Sequence, residues 1–327
     1  MKMIETFDQY VKERYKPLEI EYLQRTNDRL NDELETIRKY CLNEWRKAIK
    51  SAVEFQNDHE VECAYMSISF LLTSMLELKP QMQIDFYNSE WVYGESWLRR
   101  RMNAEFLTKE WNDFTAAALD EKFYIRSRIA HTEIKALFWS TLDKLIYLFS
   151  GFVKYFARNV EYFVEFDELI KSEKFYLTFG TYLDWQDRMF GILPEIDFLN
   201  LDANEETRFR KIINKNFNDE SFIKIDMRHC YIEDCKFVNC TFDGDDLIDS
   251  NFLNCRFEKT IFKNVKLVGS EFFECYFNEC RFENCSVEIE TNEEYFAKMK
   301  MYHCFILKCE IVDSNFNLII KKDCYER

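Results

Sequence analysis

The sequence predicts an α+β multidomain chain: an N-terminal all-α helical bundle followed by a right-handed, quadrilateral β-helix. Three observations predict it. From Phe222 to Val287 a bulky apolar residue returns every five positions, as Phe222, Met227, Ile232, Phe237, Phe242, Leu247, Phe252, Phe257, Phe262, Leu267, Phe272, Phe277, Phe282 and Val287. Two positions before most of these stands a small residue, such as Cys230, Cys235, Cys240, Ser250, Cys255, Thr260, Val265, Ser270, Cys275, Cys280 or Cys285. Before residue 216 the apolar residues instead recur at spacings of three, four and seven. Neither the helical period of 3.6 nor the strand period of 2 puts a five-residue series on one face. A solenoid does, because each repeat turns the chain by a fixed angle and buries the same position again.

In the predicted helical domain, residues 1–216, Pro17 opens the first helix as a first-turn proline can. Leu23, Leu30, Leu34, Ile37, Cys41, Trp45 and Ile49 carry it as one long amphipathic helix over about 17–55. A second helix is expected over 58–78, ending before Pro80, then a polar and aromatic loop over 82–94. Helix resumes through Trp97, Phe106, Trp111 and Phe114. The run 122–166 is the most apolar, but Asp143, Lys144, Lys154, Arg158 and Glu161 interrupt it. It therefore reads as a central packed helix and not as a membrane span, which needs ~20 apolar residues. Shorter helices are expected over 168–178 and 204–216, with Gly191 and Pro194 between them.

The solenoid is expected over 218–320. If five residues make one wall and four walls one coil, residues twenty apart should stack and resemble each other. Phe222, Phe242, Phe262 and Phe282 do, as do Phe237, Phe257 and Phe277, and so do Cys235, Cys255 and Cys275. Met227, Leu247, Leu267 and Val287 form a column without an aromatic, while Ile232, Phe252 and Phe272 mix. The pattern is interrupted at 288–303 by an insertion of helical or loop character, and returns at Ile306, Ile311 and Phe316, led by Cys304, Cys309 and Ser314.

The C-terminal third resembles the pentapeptide-repeat family, which has Leu or Phe at the centre of each repeat and a small residue two positions before it. Here Cys stands where that family usually has Ala, and Asp226, Asp246 and Asn251 supply its acidic or amide position. The resemblance implies the four-sided coil. The family's best-known activity is binding type II topoisomerases as a DNA mimic or resistance protein, which asks for a long, strongly acidic rod. About four coils at ~4.8 Å each give a rod of only ~20 Å.

Composition narrows the function classes. The chain has 327 residues, 17% aromatic and 47% hydrophobic, with three Pro and six Gly, so it has material for two packed cores and long elements. Its net charge of −15 disfavours binding a phosphate backbone. Residues 221–287 contribute only −4 of this. Nine of the twelve Cys sit at small inward positions, where a thiol acts as a compact hydrophobe, so reduced Cys in a cytoplasmic protein are expected and no metal or cofactor is. The charged start of the chain carries no signal-peptide pattern.

Two constellations are candidates for function. Arg126-Ser127-Arg128-Ile129-Ala130-His131 is similar to the Arg-X4–6-His motif of the HEPN family of helical RNases. That resemblance gives His131 an acid–base role and Arg126 a phosphate-holding one. The second is a surface. Ile248 and Val268 share one outward column and Leu253 and Phe273 the next, which predicts an apolar patch for a protein partner, a second copy, or the chain's own helices. The leading expectation is a non-enzymatic interaction or scaffold protein, with a helical recognition domain on a stiff β-helix. An RNase using Arg126 and His131 and a topoisomerase-binding mimic are the alternatives.

Overall fold

The computed structural model describes residues 6–77, 79–120, 129–197, 200–201, 205–287 and 298–327. They fall into two compact units, Met1–Phe190 and Gly191–Arg327.

Helices open the first unit, but it is not all helix. Helix α1 (Phe7–Tyr10) runs through a π-helical turn, Val11–Tyr15, into α2 (Lys16–Asp32). Pro17 therefore sits inside a continuous helix instead of starting it. Its missing N–H breaks the i→i−4 ladder, and the turn before it takes wider i→i−5 bonds, Lys16 N–H to Val11 O. The expected helix over 17–55 breaks at Glu33 and continues as α3 (Leu34–Asp58). Strands β1 (Cys63–Phe70), β2 (Gln81–Tyr87) and β3 (Leu98–Asn103) then precede α4 (Trp111–Ala118). The apolar run forms α5 (His131–Ala157), a short 3-10 turn and α6 (Val164–Glu168). Strands β4 (Lys171–Thr181) and β5 (Gln186–Ile192) complete a five-stranded sheet of order β3-β2-β1-β4-β5. The β1–β4 pair is parallel, whereas β1–β2 and β2–β3 are antiparallel.

This sheet corrects the expected helices at 58–78 and 168–178, the expected loop at 82–94 and the helix expected to resume at Trp97, which starts only at Trp111 after β3 and a 3-10 turn at Glu105–Leu107. Met66, Ile68, Phe70, Ile84, Phe86, Leu177 and Phe179 are buried on the face where Phe149 of α5 meets Phe179 edge-on at 5.6 Å. Ser67, Ser69, Gln83, Asp85 and Thr178 point the other way and are buried too. With both faces covered, the apolar–polar alternation that marks a half-exposed strand is lost.

The second unit is a parallel β-helix with a twenty-residue register. Phe237 pairs with Phe217 and Phe257, Phe242 with Phe222 and Phe262, and Phe252 with Ile232 and Phe272. Three walls are sheets of six, five and six strands. The fourth is a row of single bridges, Asp226–Asp246–Lys266–Ser286, behind the non-aromatic column of Met227, Leu247, Leu267 and Val287. In the bore, Phe rings of successive coils stack 4.5 to 5.1 Å apart, between Phe252 and Phe272 and between Phe242 and Phe262 respectively. The coil begins earlier than Phe222. Lys211–Ile213, inside the helix expected over 204–216, and Asn216–Asn218, at its end, are strands of the first rung, with Ile212 and Phe217 in the central series.

Each corner is turned by one residue in the left-handed region, two positions after the central one. Asn214, Asp219, Asp234, Asn239, Asp249, Asn254, Asn264 and Asn284 supply it with φ of 50–58°. Asn and Asp tolerate this conformation because their short side chains bond locally. Gly244 and Gly269 fill two corners, and Lys259, Glu274 and Glu279 fill others at a steric cost. Lys259→Asn should therefore stabilise the coil by about 0.5–1 kcal/mol. A urea-unfolding midpoint that does not rise would show that the Lys259 corner is unstrained.

After Val287 the register slips. Phe272 pairs with Met301, Phe277 with Ile306 and Phe282 with Ile311, twenty-nine residues on, after which twenty returns at Met301–Lys321. Residues 288–297 of the expected insertion lie outside the described residues. Its remainder does not: Lys300–Tyr302 is a wall strand, and Met299 N–H closes the gap onto Val287 O at 2.9 Å. In the last rung Lys321 and Glu326 hold central positions and pair at 2.5 Å.

Candidate interaction surface

In every wall the central side chain fills the bore and its two neighbours face outward, so the stacked coils lay out columns of surface side chains. Val268 is buried, only 6% exposed, and Ile248 and Leu253 are half-buried. Phe273 is 39% exposed and meets His303 edge-on at 5.5 Å. Leu253 and Phe273 stack in adjacent coils, and Asp249 N–H bonds Val268 O at 3.0 Å, which sets the Ile248 and Val268 coils side by side. The four residues thus occupy the predicted columns, with the exposed apolar area concentrated on Phe273.

The neighbouring wall carries a longer feature. Lys236, Arg256, Tyr276, Phe305 and Tyr325 form one outward column across five coils. Tyr276 and Phe305 rings lie 6.4 Å apart, and Phe305 and Tyr325 rings 6.1 Å apart. Phe305 and Tyr325 are 51% and 50% exposed, and Leu307 faces outward in the same strand as Phe305. The Arg256 guanidinium lies 4.6 Å over the Tyr276 ring and is ion-paired with Glu258. Cation–π contact caps the aromatic run at that end. Tyr276 is recognisable in the sequence as an outward residue. Its continuation is not, because the twenty-nine-residue slip places Phe305 beyond the next expected rung.

The bore is not wholly free of ionisable groups, although the repeat pattern predicts none. Asp245 takes the small corner position between Cys240 and Ser250 and is 1% exposed. Its Oδ1 accepts from Ile225 N–H at 2.6 Å, while Oδ2 has no hydrogen-bond partner. Burial pushes its carboxyl up to about 7, against backbone hydrogen bonds at Ile225 and Asp243 that favour the anion. An Asp where the other corners carry Cys, Ser, Thr or Val is the sequence signal for it.

In the first unit the second face of the sheet holds a buried polar network. Asp85 accepts from Gln83 Nε2 at 2.7 Å and from Arg99 Nε at 2.8 Å. Ser67 accepts from the Trp91 indole at 3.0 Å and lies 2.9 Å from the Thr178 hydroxyl. Gln186 lies 2.9 Å from Thr178 through Oε1 and donates to Ser69 at 3.1 Å. These groups satisfy one another and pin the strand register. His131 is the exposed first residue of α5, and Arg126 lies outside the described residues, so the HEPN resemblance gains no support. Among the described residues no group of three or more His, Cys, Asp or Glu gathers as metal ligands. One helical stretch, His131–Tyr162, is long and apolar enough to cross a membrane by length and composition. Leu142, Leu145, Phe149, Phe152 and Phe156 within it are buried in the protein.

The family model of the SV2A/B/C luminal domain matches residues 209–282. No curated protein matches the chain. Among solved structures, trypsin-treated QnrB1, a plasmid-mediated fluoroquinolone resistance protein, is 18% identical over 35% of this chain and 65% of its own, with a TM-score of 0.29. Rfr23 from the cyanobacterium Cyanothece 51142 is 8% identical over 37% of this chain and 88% of its own, also at 0.29. HetL from Nostoc sp. strain PCC 7120 is 6% identical over 38% and 90%, at 0.13. The twenty-residue register and the five-residue walls make the C-terminal unit a pentapeptide-repeat β-helix.

Proposed function

We propose that the chain is a non-enzymatic interaction protein, in which the β-helix presents a rigid outer wall to a protein partner. One observation carries this reading: the aromatic column Tyr276–Phe305–Tyr325, half-exposed and held at fixed spacing by the parallel ladder beneath it. The bore is filled by stacked rings, so only the outside of the coil is available for contact. Aromatic side chains fixed in advance bury large area on binding and lose little rotamer freedom, which makes them frequent anchors of protein interfaces. The N-terminal unit of helices and sheet would then carry recognition or transmission to the stiff coil.

The mixed charge of the walls does not favour a DNA-mimicking surface. Lys236, Arg256, Lys259 and Lys308 interleave with Glu258 and Glu279 on the aromatic wall, and Lys263 and Arg281 with Asp243 and Glu283 on the next.

A photo-crosslinking side chain placed at Phe305, and separately at Tyr325, should capture one and the same protein in the native cell. The same probe at Ile223, exposed on another wall, should not. Phe305→Ser with Tyr325→Ser should weaken that partner at least about tenfold. Capture of a second copy of the chain would identify the partner as itself. Equal capture from Ile223, or an unchanged affinity in the double variant, would overturn the reading.

A further inference from the structure

After Lys215 in its first rung, one corner of the coil carries nothing but thiols. Cys235, Cys255, Cys275, Cys304 and Cys324 occupy it in five successive rungs, locked in step by Arg256, Tyr276, Phe305 and Tyr325 N–H bonds to the carbonyls of the first four. The other corners do not keep one residue type: one reads Cys240, Thr260, Cys280, Cys309, another Cys230, Ser250, Ser270, Met299, and the third Asp245, Val265, Cys285, Ser314. A requirement for a small residue alone would be met by Ser, Thr or Val here as well. Cys255, Cys275 and Cys304 each also interact with the thiols of the rungs before and after them. Each donates to a carbonyl of the preceding coil, Cys255 to Ile232 O at 3.4 Å, Cys275 to Phe252 O at 3.4 Å and Cys304 to Phe272 O at 3.3 Å. Burial, and the carbonyl oxygens that surround each sulfur, favour the neutral thiol over the thiolate along the empty ladder.

We propose that this ladder binds soft monovalent cations of the copper(I) class, each held in line between the sulfurs of two successive rungs. Side chains of one column are separated by the coil pitch, 4.5–5.1 Å for the Phe stacks of the same coils. Two metal–sulfur bonds of about 2.3 Å laid end to end span about 4.6 Å. Thiolate sulfur selects copper(I) among the first-row ions. Among the described residues no three His, Cys, Asp or Glu converge on a rung, so the site suits an ion content with two donors and not a tetrahedral one such as zinc. On binding, each ion displaces one S–H proton to solvent and forms a metal–thiolate bond, while the sulfur of the neighbouring rung donates a lone pair, as a thiol at the end of the filled run and as a shared thiolate within it. One proton leaves per ion, so the loaded ladder as a whole keeps no net charge in the apolar bore. No oxidant or reductant is consumed. Cys324 is only half-buried, whereas Cys235, Cys255, Cys275 and Cys304 are buried, so ions enter from the Cys324 rung.

The test is an anaerobic titration of the reduced full-length protein with copper(I), counted by native mass spectrometry. Up to four ions should bind between the five rungs, with a fifth at the Cys280–Cys309 pair, and the coil's circular dichroism should persist. Cys304→Ser keeps a hydroxyl donor of the kind Ser250 and Ser270 already supply, and should lose two ions. Cys324→Ser, at the half-buried rung, should lose one and serves if the first variant fails to fold. Cys230→Ser, on another corner, should lose none. No binding, equal losses from all three variants, or binding only with collapse of the coil would overturn the proposal.

Discussion

Replacing Asp245 by Asn should remove most of a pH dependence that the native coil carries between about pH 4 and pH 8. The Asp245 carboxyl is raised from 3.8 to about 7 in the fold, chiefly by burial. The folded coil thus holds this proton more tightly than the unfolded chain does. Below about pH 4 both states are protonated and the group costs nothing. As the pH rises towards 7 the unfolded chain ionises first, and stability falls with each pH unit. Above about 7 both are ionised and the loss is complete, amounting to about 4 kcal/mol for a shift of about three units. Asn keeps an oxygen to accept from Ile225 N–H but cannot ionise. Its own baseline includes a buried amide without a partner, so the difference across pH is the quantity to read. The stability of the Asn variant minus that of the native protein, from urea unfolding of the coil, should rise by about 4 kcal/mol from pH 4 to pH 8. A difference that stays flat with pH would mean that Asp245 reaches water or a cation.

Phe257→Ala should cost about 3–5 kcal/mol. Phe257 is fully buried, stacked at 5.0 Å on Phe237 and at 4.8 Å on Phe277, with the edges of Phe252 and Phe262 at 5.8 and 5.5 Å. Deleting the ring leaves a void in the middle of the tube, and the pitch of a parallel ladder prevents the neighbouring coils from closing it. Phe257→Leu should cost less, about 1–2 kcal/mol, since Leu247 and Leu267 show that the bore accepts Leu on another wall. Solenoid rungs contact only their neighbours, so hydrogen exchange in the Ala variant should quicken first at Phe237, Phe257 and Phe277. Uniform acceleration along the whole coil would instead mark it as a single cooperative block.

How far the sequence reveals this protein depends on which side chains carry the signal. The coil is legible because each Phe sits on another Phe twenty residues away, and no other regular backbone repeats with that period. The sheet of the first unit is hidden because Ser67, Gln83, Asp85 and Thr178 are buried opposite Met66, Ile84 and Leu177, so neither face looks like a surface. The break at Glu33 and the π-turn before Pro17 are local adjustments within a pattern that is otherwise helical. Of the interaction surface, the Ile248, Leu253, Val268 and Phe273 columns follow from spacing, but the burial of Val268 does not. The longer aromatic column stays out of sight because the insertion shifts its register by nine residues. Asp245 breaks the small-residue pattern, but the sequence does not show that it is buried, and burial is what raises its carboxyl.

The fourth wall, joined by lone bridges where the other three have strands, has a practical corollary. It already admits an extra stretch of chain between Val287 and Met299 while the rungs on either side keep their pairing. The matching point in an earlier turn, beside Leu247 or Leu267, is therefore where a foreign peptide can be spliced in and displayed without unwinding the tube.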